Sequence, residues 1–480
     1  MADPFVVVGG DAAGLSAASK FTREGVGDVI VFEKGEWVSY AHCGTPYYVK
    51  GEVEHITDLL SLSPAEIEER GIDLRRTHEV VAVDTDAKTV TVERDGDRTV
   101  QPYSDLLIAT GAHALTDPIP GADLDGAFTM HGLDSAAAVR AAVAEPGSDP
   151  VDTSVEAVDA QRVERYADRE PPESVAVVGG GYVGVEMAEA FSAHGIDVHL
   201  FQRSGLPLPP FGEAVGERVA DHLREQGVHL HLDTAVERLA GETTVEAVVH
   251  EGGRTAVGLA LVGIGIRPNT DLAADTPVST GDSGALAVDE YGRALSADSS
   301  GDSEVVDGVY AAGDCAEAIH TVTGEPDWVP LGLTANRAGR AIGQTVAGDP
   351  TPVGEIAGTA VVKAFDLECG RTGLLDHESA RAAGFDPVSE TITAGSRSGY
   401  YPGGDATDVM LVADRETGRV LGGALVGRDR AAIRIDTLAT ALEADMTVDE
   451  LERLDLAYAP PFSPVWDPVL VAAKVLNGRL

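Results

Sequence analysis

Lysine and cysteine are scarce in this chain, and acidic residues far outnumber basic ones. Only six of its 480 residues are lysine, and 79 acidic residues against 35 basic ones give a formal net charge of −44 at pH 7. A surface of this charge repels nucleic acid and anionic lipid, which excludes both as expected partners. It is typical of a strongly solvated surface in a salt-rich cytoplasm, where ions screen self-repulsion, so we expect a halophilic source.

Long apolar runs and paired cysteines are also missing. No stretch approaches the roughly 20 apolar residues that cross a bilayer, and the N-terminus runs directly into FVVVGG, which leaves no room for a secretory signal. Cys43, Cys315 and Cys369 are far apart and show neither CxxC nor zinc-site spacing. We therefore expect a cytoplasmic protein without a disulfide framework or a metal site, in which one thiol can be reactive.

Strand, glycine turn, helix and strand follow one another twice along the chain. The first unit begins with FVVVGG and the second with SVAVVGGGYVG at residues 174–184. Each is a βαβ unit of the kind that binds dinucleotides. The sequence therefore predicts an α/β protein with two Rossmann-like domains and two nucleotide sites.

The first glycine turn departs from the usual fingerprint at one position. Gly9 allows the tight turn and Gly14 lets the helix pack close to the strand, but Asp11 stands where the middle glycine is expected. The helix N-terminus would take a pyrophosphate, and Glu33 at the end of the second strand would bind ribose hydroxyls. We assign three further residues to the same cofactor: Gly10, Ala13 and Lys34.

The second turn has the complete fingerprint, Gly179, Gly181 and Gly184. The residue matching Glu33 is Gln202, followed by Arg203. Because no carboxylate repels a 2′-phosphate there and a guanidinium lies beside it, we expect NADPH to be used at least as well as NADH. The remaining predicted nucleotide contacts are Tyr182 and Gly265, Ala109, Thr110 and Gly111 in ATGA, and Gly313 and Asp314 in AAGDCAE. Cys315 and Cys369 are interpreted as packing residues.

Cys43 precedes a predicted helix, CGTPYYVKG. A thiolate is the reactive form of cysteine, and backbone N–H groups at a helix start favour an anion, so we expect a lowered pKa for the Cys43 thiol. His42 could assist if it is protonated.

The motifs GGDAAG, FEK, SYAHCGTPYY, ATGA, GGGYVGVEMAEAF, GIGIRPN and AAGDCAE together resemble the pyridine nucleotide–disulfide oxidoreductases. Two-cysteine members carry C-x4-C, but Tyr48 stands five positions after Cys43. The chain is therefore most similar to the single-cysteine branch, and SYAHCGTPYY and AYAPPFSPVWDP resemble coenzyme A disulfide reductase. Those reductases usually have Asn where this chain has His42.

The resemblance implies FAD, NAD(P)H and a mixed disulfide between Cys43 and coenzyme A. It also implies a homodimer in which Tyr458 and either Tyr400 or Tyr401 of the partner face the sulfur. The positions that match coenzyme A contacts are Ser39, Lys20, Arg23 and Arg75, with His42 beside them. Three alternatives stay open: an NADH oxidase or peroxidase that cycles Cys43 through sulfenic acid, a polysulfide or persulfide reductase, and a flavin redox sensor that turns over little.

Three domains are expected. Residues 1–118 and 255–345 would form the FAD domain, 119–254 the NAD(P)H domain, and 353–480 an α+β dimerisation domain. Two acidic segments, an insertion at 146–172 and a loop at 296–307, are expected at the surface.

Overall fold

The computed structural model describes residues 3–297 and 303–480. Its strands, in chain order, are β1 (Phe5–Val8), β2 (Val29–Phe32), β3 (Asp73–Arg75), β4 (Glu79–Asp84), β5 (Thr89–Arg94), β6 (Asp97–Pro102), β7 (Asp105–Ile108), β8 (Ala112–Ala114), β9 (Ala127–Phe128), β10 (Ser174–Val178), β11 (Asp197–Phe201), β12 (His229–His231), β13 (Val236–Ala240), β14 (Ala247–His250), β15 (Gly253–Ala256), β16 (Leu259–Val262), β17 (Ile266–Pro268), β18 (Arg293–Ala297), β19 (Ser303–Ala311), β20 (Ala318–Ile319), β21 (Pro326–Asp327), β22 (Ala360–Ala364), β23 (Leu367–Gly373), β24 (Pro387–Gly395), β25 (Ala406–Asp414) and β26 (Val420–Gly427).

The α-helices of the same residues are α1 (Ala12–Glu24), α2 (Thr45–Lys50), α3 (Pro64–Glu69), α4 (Leu133–Val143), α5 (Ala160–Ala167), α6 (Tyr182–Ala193), α7 (Glu213–Glu225), α8 (Gly332–Val346), α9 (His377–Ala382), α10 (Ala431–Glu443), α11 (Val448–Glu452) and α12 (Pro468–Asn477). Single 3-10 turns occur at His42–Gly44, Ile56–Leu59, Pro209–Phe211 and Asp271–Ala273. Within the described residues, no helix is long and apolar enough to cross a membrane.

The first sheet has the strand order β18-β19-β7-β1-β2-β3. Its central strand, β1, pairs in parallel with β2 and β7, and Val8 stands opposite both Phe32 and Ile108. The carboxyl ends of these strands therefore meet at one edge of the sheet, where a doubly wound fold binds its ligand. Helices α1 and α8 pack closely because Gly339 and Gly343 lie against the backbone of α1, where a Cβ atom would overlap it.

The second sheet is fully parallel, in the order β12-β11-β10-β16-β9, and the three-stranded sheet β13-β14-β15 is separate from it. Strand β16 pairs with β10, which corrects the predicted boundary at residues 254/255. The second unit extends through Val262, because the apolar run LALV completes this sheet and not the first one. The chain then returns through β17, which pairs with β8.

The first of the two acidic segments is more structured than the sequence suggests. The insertion at 146–172 contains α5, whose residues Val163 and Tyr166 are buried against the core that includes α4. It is therefore only partly a surface feature. The predicted loop at 296–307 is bounded by strands β18 and β19, and residues 298–302 lie outside the described part of the chain.

The C-terminal residues form the predicted α+β domain. Its antiparallel sheet has the order β22-β23-β26-β25-β24, and every residue of β26 is buried. Helix α10 packs on β23 and β26, and α12 packs on β24 and β25. The usual alternation of buried and exposed residues along a strand is lost in β26 because both faces of this strand are covered.

Candidate active site

The first glycine turn is held in a conformation that requires glycine. Gly9 has φ of 112°, and a Cβ atom at this position would overlap the carbonyl oxygen of Ala109. A Cβ at Gly14 would overlap the carbonyl of Gly9. The Glu33 carboxylate closes the turn, since its Oε2 accepts from Gly10 N at 2.8 Å and its Oε1 from Gly35 N at 2.7 Å. This is the close helix–strand approach that a dinucleotide turn needs.

The second glycine turn repeats this geometry at the edge of the second sheet. Gly179 has φ of 107° and lies against the carbonyl of Gly263, as Gly9 lies against Ala109. Gln202 takes the place of Glu33, because its Oε1 accepts from Gly180 N at 2.9 Å. A Cβ at Gly181 would meet open space, so the turn leaves room for a ligand beside the N-terminus of α6.

The remaining segments predicted to face a nucleotide lie next to these turns. Thr110 Oγ1 donates to the carbonyl of Asn269 at 2.6 Å, which joins the ATGA segment to the strand entering from the second domain. Gly313 lies next to Ala13 of α1. The following residue, Asp314, therefore lies at the same edge of the first sheet as the first glycine turn. Burial raises the pKa of Asp314, and the nearby Asp11 raises it further while His42 lowers it. Gly111 and Gly265 both have positive φ, and Lys34 is exposed.

Cys43 lies in the 3-10 turn His42–Gly44, directly before α2, and its side chain is exposed. The expected lowering of its pKa is wrong. Although Cys43 is accessible to solvent, protein atoms surround part of its side chain, and this partial burial is the largest cause that raises the pKa of its thiol. The carboxylates of Glu186 and Asp314 raise it further, whereas a backbone hydrogen bond lowers it. Helix α2 has only six residues, so we infer that its N-terminal field is smaller than the combined effect of burial and the two carboxylates.

His42, next to Cys43, is paired with the first glycine turn. Its Nε2 lies 2.5 Å from Asp11 Oδ2. Partial burial opposes protonation of the ring, but the hydrogen bond to Asp11 and the charges of Asp11 and Asp314 raise the pKa of His42 overall. The arrangement therefore favours protonation of His42, but its ring is directed at Asp11.

Two of the three C-terminal tyrosines predicted to face the sulfur contact each other. The phenol of Tyr400 interacts with that of Tyr458, and this contact raises the pKa of Tyr400. Both side chains are well exposed, at 76% and 47%. Tyr401 is less exposed and lies outside this pair. Tyr400 and Tyr458 thus present two hydroxyl groups together at the surface.

Two family models match most of the chain. The model for pyridine nucleotide-disulphide oxidoreductases matches residues 3–332, and the model for their dimerisation domain matches residues 359–468. The chain belongs to this family.

Relatives within the family act on sulfur compounds. The chain is 38% identical over 476 residues to an NAD(P)H coenzyme A polysulfide/persulfide reductase from Pyrococcus horikoshii, covering 98% of both proteins. It is 26% identical to coenzyme A disulfide reductase from Staphylococcus haemolyticus, covering 95% of this chain and 96% of that one. The structure of an NAD-dependent persulfide reductase from A. fulgidus matches with a TM-score of 0.88 and 32% identity, covering 99% of this chain and 83% of that one.

This family member is an FAD-dependent NAD(P)H oxidoreductase that acts on sulfur groups. Its two glycine turns fit two dinucleotides, because each brings backbone N–H groups and a helix N-terminus to an open edge of a sheet. When bound, FAD relays the electron pair of NAD(P)H to sulfur.

The sequence did not single out the acidic side chains of α6. Tyr47 Oη donates to Glu186 Oε1 at 2.9 Å, and burial raises the pKa of Glu186 to about 7. Glu189, one turn further, is 6% exposed and accepts from Lys50 Nζ at 2.6 Å and Lys363 Nζ at 2.9 Å. The sequence signal that could have identified them is the spacing of Glu186 and Glu189 at i and i+3 on a helix whose other residues are mostly apolar.

The residues predicted to contact coenzyme A differ in exposure and in the partners they already have. Ser39 is buried with φ of 55° in the segment that links the first turn to Cys43. Lys20 is paired with Glu24, and Arg75 Nη2 lies 2.6 Å from Asp73 Oδ2, while Arg23 is exposed. Two of the three cations thus form ion pairs with carboxylates nearby in sequence. A phosphate group that binds these cations would have to replace those carboxylates.

Proposed function

We propose that this oxidoreductase reduces coenzyme A disulfide through a mixed disulfide on Cys43. The observation that supports the proposal is that the Cys43 thiol is accessible and has no second thiol beside it. Cys43 is exposed in the turn beside the first nucleotide site, while Cys315 and Cys369 are both buried. Because no second thiol lies beside Cys43 to form an internal disulfide, a disulfide at Cys43 would be formed with the substrate.

The chemistry balances with one cysteine. The Cys43 thiolate attacks one sulfur of the substrate, whose S–S bond breaks as the Cys43–coenzyme A disulfide forms, and the leaving thiolate takes a proton. Two-electron reduction of the mixed disulfide then restores the Cys43 thiolate and releases a second coenzyme A thiol. In total, NAD(P)H, one proton and coenzyme A disulfide give NAD(P)+ and two coenzyme A thiols.

The proton for the leaving thiolate would come from a partner subunit. In a homodimer formed through the dimerisation domain, we propose that Tyr400 and Tyr458 of one chain face Cys43 of the other. Their mutual contact and their exposure support this role, because a hydroxyl held by a second hydroxyl is oriented toward one acceptor. Lys20, Arg23, Arg75 and Ser39 are proposed to hold the coenzyme A phosphates and pantetheine, against the strongly negative charge of the whole chain.

NADPH is proposed to be accepted at the second turn. Gln202 is engaged through both ends of its amide, with Gly180 N and with the carbonyl of Ser204 at 3.0 Å. Arg203 is exposed beside it and makes no ion pair with the described residues. A guanidinium that is not committed to a carboxylate can bind a 2′-phosphate.

A second candidate is the reduction of coenzyme A persulfide or of polysulfide. It is favoured by the relatives named above, since the one with 38% identity carries that activity in its name. The same Cys43 thiolate would attack the outer sulfur of coenzyme A persulfide, which breaks its S–S bond, forms a persulfide on Cys43 and releases the coenzyme A thiolate. Two-electron reduction of the Cys43 persulfide would then release sulfide and restore the thiolate. The two candidates therefore share one site and differ in the group that is left on Cys43.

The test compares electron acceptors at high salt. NAD(P)H oxidation is measured with coenzyme A disulfide, coenzyme A persulfide, polysulfide, oxygen and peroxide, for the wild type, Cys43→Ser and the control Cys369→Ala. We expect turnover with coenzyme A disulfide that is lost in Cys43→Ser and kept in Cys369→Ala, with coenzyme A bound to Cys43 by mass spectrometry. Faster turnover with persulfide would favour the second candidate. Turnover with oxygen or peroxide alone would contradict both, as would none at all.

A further inference from the structure

Asp11 stands at a position where aspartate normally caps a helix. It is the residue before α1, and its side chain makes no cap hydrogen bond. Three other helices of the described residues begin after an aspartate, and in each the carboxylate does cap: Asp159 accepts from Arg162 N, Asp376 from Ser379 N and Asp467 from Val469 N. Because aspartate at this position normally stabilises a helix by accepting from its first N–H groups, another contact must hold the Asp11 side chain away from α1.

The carboxylate of Asp11 is held by the segment that leads to Cys43. Its Oδ1 accepts from Tyr40 N at 3.2 Å, and its Oδ2 lies 2.5 Å from His42 Nε2. The side chain therefore points toward residues 40–42 and leaves the first N–H groups of α1 without a side-chain partner. These N–H groups belong to the turn that takes the pyrophosphate of FAD.

The bond to Asp11 favours the protonated form of His42. Burial of the ring opposes protonation, but the hydrogen bond and the negative charge of Asp11 raise the pKa of His42 overall. In its protonated form, the ring offsets the charge that Asp11 brings to a position where the backbone must approach an anionic pyrophosphate.

We propose that His42 is a positioning residue for FAD: it draws the Asp11 carboxylate away from the N-terminus of α1 and leaves those N–H groups to the pyrophosphate. Without His42, Asp11 would cap α1 as the other three aspartates cap their helices, and it would compete with the cofactor as an internal anion. The two residues that depart from the expected pattern, Asp11 and His42, thus compensate each other. This inference rests on FAD binding, which the family establishes, and not on the identity of the sulfur substrate.

The test is a double-mutant cycle on FAD release. Holoenzyme is diluted, and the recovery of free-flavin fluorescence gives the release rate for the wild type, His42→Ala, Asp11→Gly and the double variant. We expect about tenfold faster release from His42→Ala, a rate near wild type for Asp11→Gly, and the Asp11→Gly rate again for the double variant. His42→Asn should fall between wild type and His42→Ala, because an amide still donates to Asp11 but carries no charge.

Two results would overturn the inference. An unchanged release rate in His42→Ala would show that Asp11 does not compete for the site. Equally fast release from His42→Ala and from the double variant would show that His42 acts through the Cys43 turn and not through Asp11. If His42→Ala does not retain enough FAD to measure, the same cycle with His42→Asn decides between these outcomes, since rescue by Asp11→Gly is a property that general destabilisation does not produce.

Discussion

Tyr47 donates its phenolic hydrogen to Glu186 Oε1 at 2.9 Å, across the contact between α2 and α6. The pair joins the helix that follows Cys43 to the helix of the second glycine turn. Burial raises the pKa of Glu186 to about 7, and Glu186 is one of the two carboxylates that raise the pKa of the Cys43 thiol. Ionisation of Glu186 is therefore expected to oppose ionisation of the Cys43 thiol.

Glu186→Gln should make Cys43 more reactive. Below about pH 7 the wild-type carboxyl is largely neutral, and above it the carboxylate opposes formation of the thiolate. Removing the charge should lower the pKa of Cys43, with the largest gain in alkylation rate above pH 7. The measurement is the pH dependence of iodoacetamide alkylation at Cys43, followed by mass spectrometry. Glu237→Gln, an exposed change on β13, is the control. A profile identical to wild type would show that Glu186 does not act on the sulfur.

Much of the nucleotide-binding architecture could be predicted from local sequence. Gly9 and Gly179 are recognisable because a tight strand-to-helix turn excludes other residues wherever it occurs. The sequence also predicted that Cys43 precedes a helix, and the structure has Cys43 in the turn before α2, while its redox role stays a prediction. These features depend on neighbours in the chain, which a sequence displays directly.

Features that depend on distant neighbours could not be predicted in the same way. The pKa of Cys43 was expected to fall, but Glu186 is 143 positions away in sequence and reaches it only through packing of α6 on α2. The apolar run LALV of β16 is compatible with a buried strand of the first or of the second sheet. The predicted domain boundary near residue 254 was therefore misplaced. The contact between Tyr400 and Tyr458 likewise joins residues that are far apart in sequence, so the sequence left Tyr400 and Tyr401 equivalent.

Tyr400→Phe should impair turnover, and Tyr401→Phe should not. If the Tyr400–Tyr458 pair protonates the leaving thiolate, losing either hydroxyl should lower kcat with coenzyme A disulfide by about 10²-fold. Tyr401→Phe makes the same chemical change at the adjacent position and should stay within about twofold of wild type. Because the two hydroxyls act as a unit, the Tyr400→Phe/Tyr458→Phe enzyme should be about as slow as either single variant. Steady-state kinetics decide this, and equal effects at positions 400 and 401 would contradict the assignment.

Arg203→Ala should change the preference between the two nicotinamide cofactors. Loss of the guanidinium should lower kcat/KM for NADPH by about tenfold and leave the value for NADH nearly unchanged, since only NADPH carries the 2′-phosphate. The control is Arg238→Ala, an exposed arginine on β13 of the same domain. Both values are measured at one fixed salt concentration, because screening weakens the phosphate contact. A strong NADH preference that survives unaltered in Arg203→Ala would refute the proposed NADPH pocket.

Glu189 should matter for stability far more than its surface neighbour Glu52. Glu189 is buried and accepts from Lys50, Lys363 and Phe365 N, the last at 2.9 Å. Glu189→Ala leaves two lysines facing a buried site and should destabilise the protein by about 3 kcal/mol, lowering the apparent melting temperature by roughly 5–10 °C. Glu52 also contacts Lys50 but is half exposed, so Glu52→Gln should cost less than about 1 kcal/mol. Equal melting temperatures for both variants at high salt would argue against the buried cluster.

Asp429 should stabilise the loop that carries Tyr400 in a pH-dependent manner. Its carboxylate accepts from Arg397 Nε at 2.6 Å, Arg397 Nη2 at 2.8 Å and Ser396 Oγ at 2.7 Å. The hydrogen bond from Arg397 comes first among the causes that lower the pKa of Asp429. A depressed folded-state pKa means that the contribution is complete above the unfolded value of about 3.9 and is lost as the pH falls through the lower folded value.

Asp429→Asn should therefore lower stability by about 1 kcal/mol, because the pair is partly screened by solvent, and the loss should disappear on acidification. Urea unfolding midpoints between pH 7 and pH 3 measure this, with the exposed Asp436→Asn on α10 as the control. The difference between wild type and Asp429→Asn is expected to stay constant from pH 7 to pH 5 and to shrink toward pH 3. A difference that persisted unchanged at pH 3 would mean that the asparagine alters packing and that the ionised carboxylate is not what holds the loop.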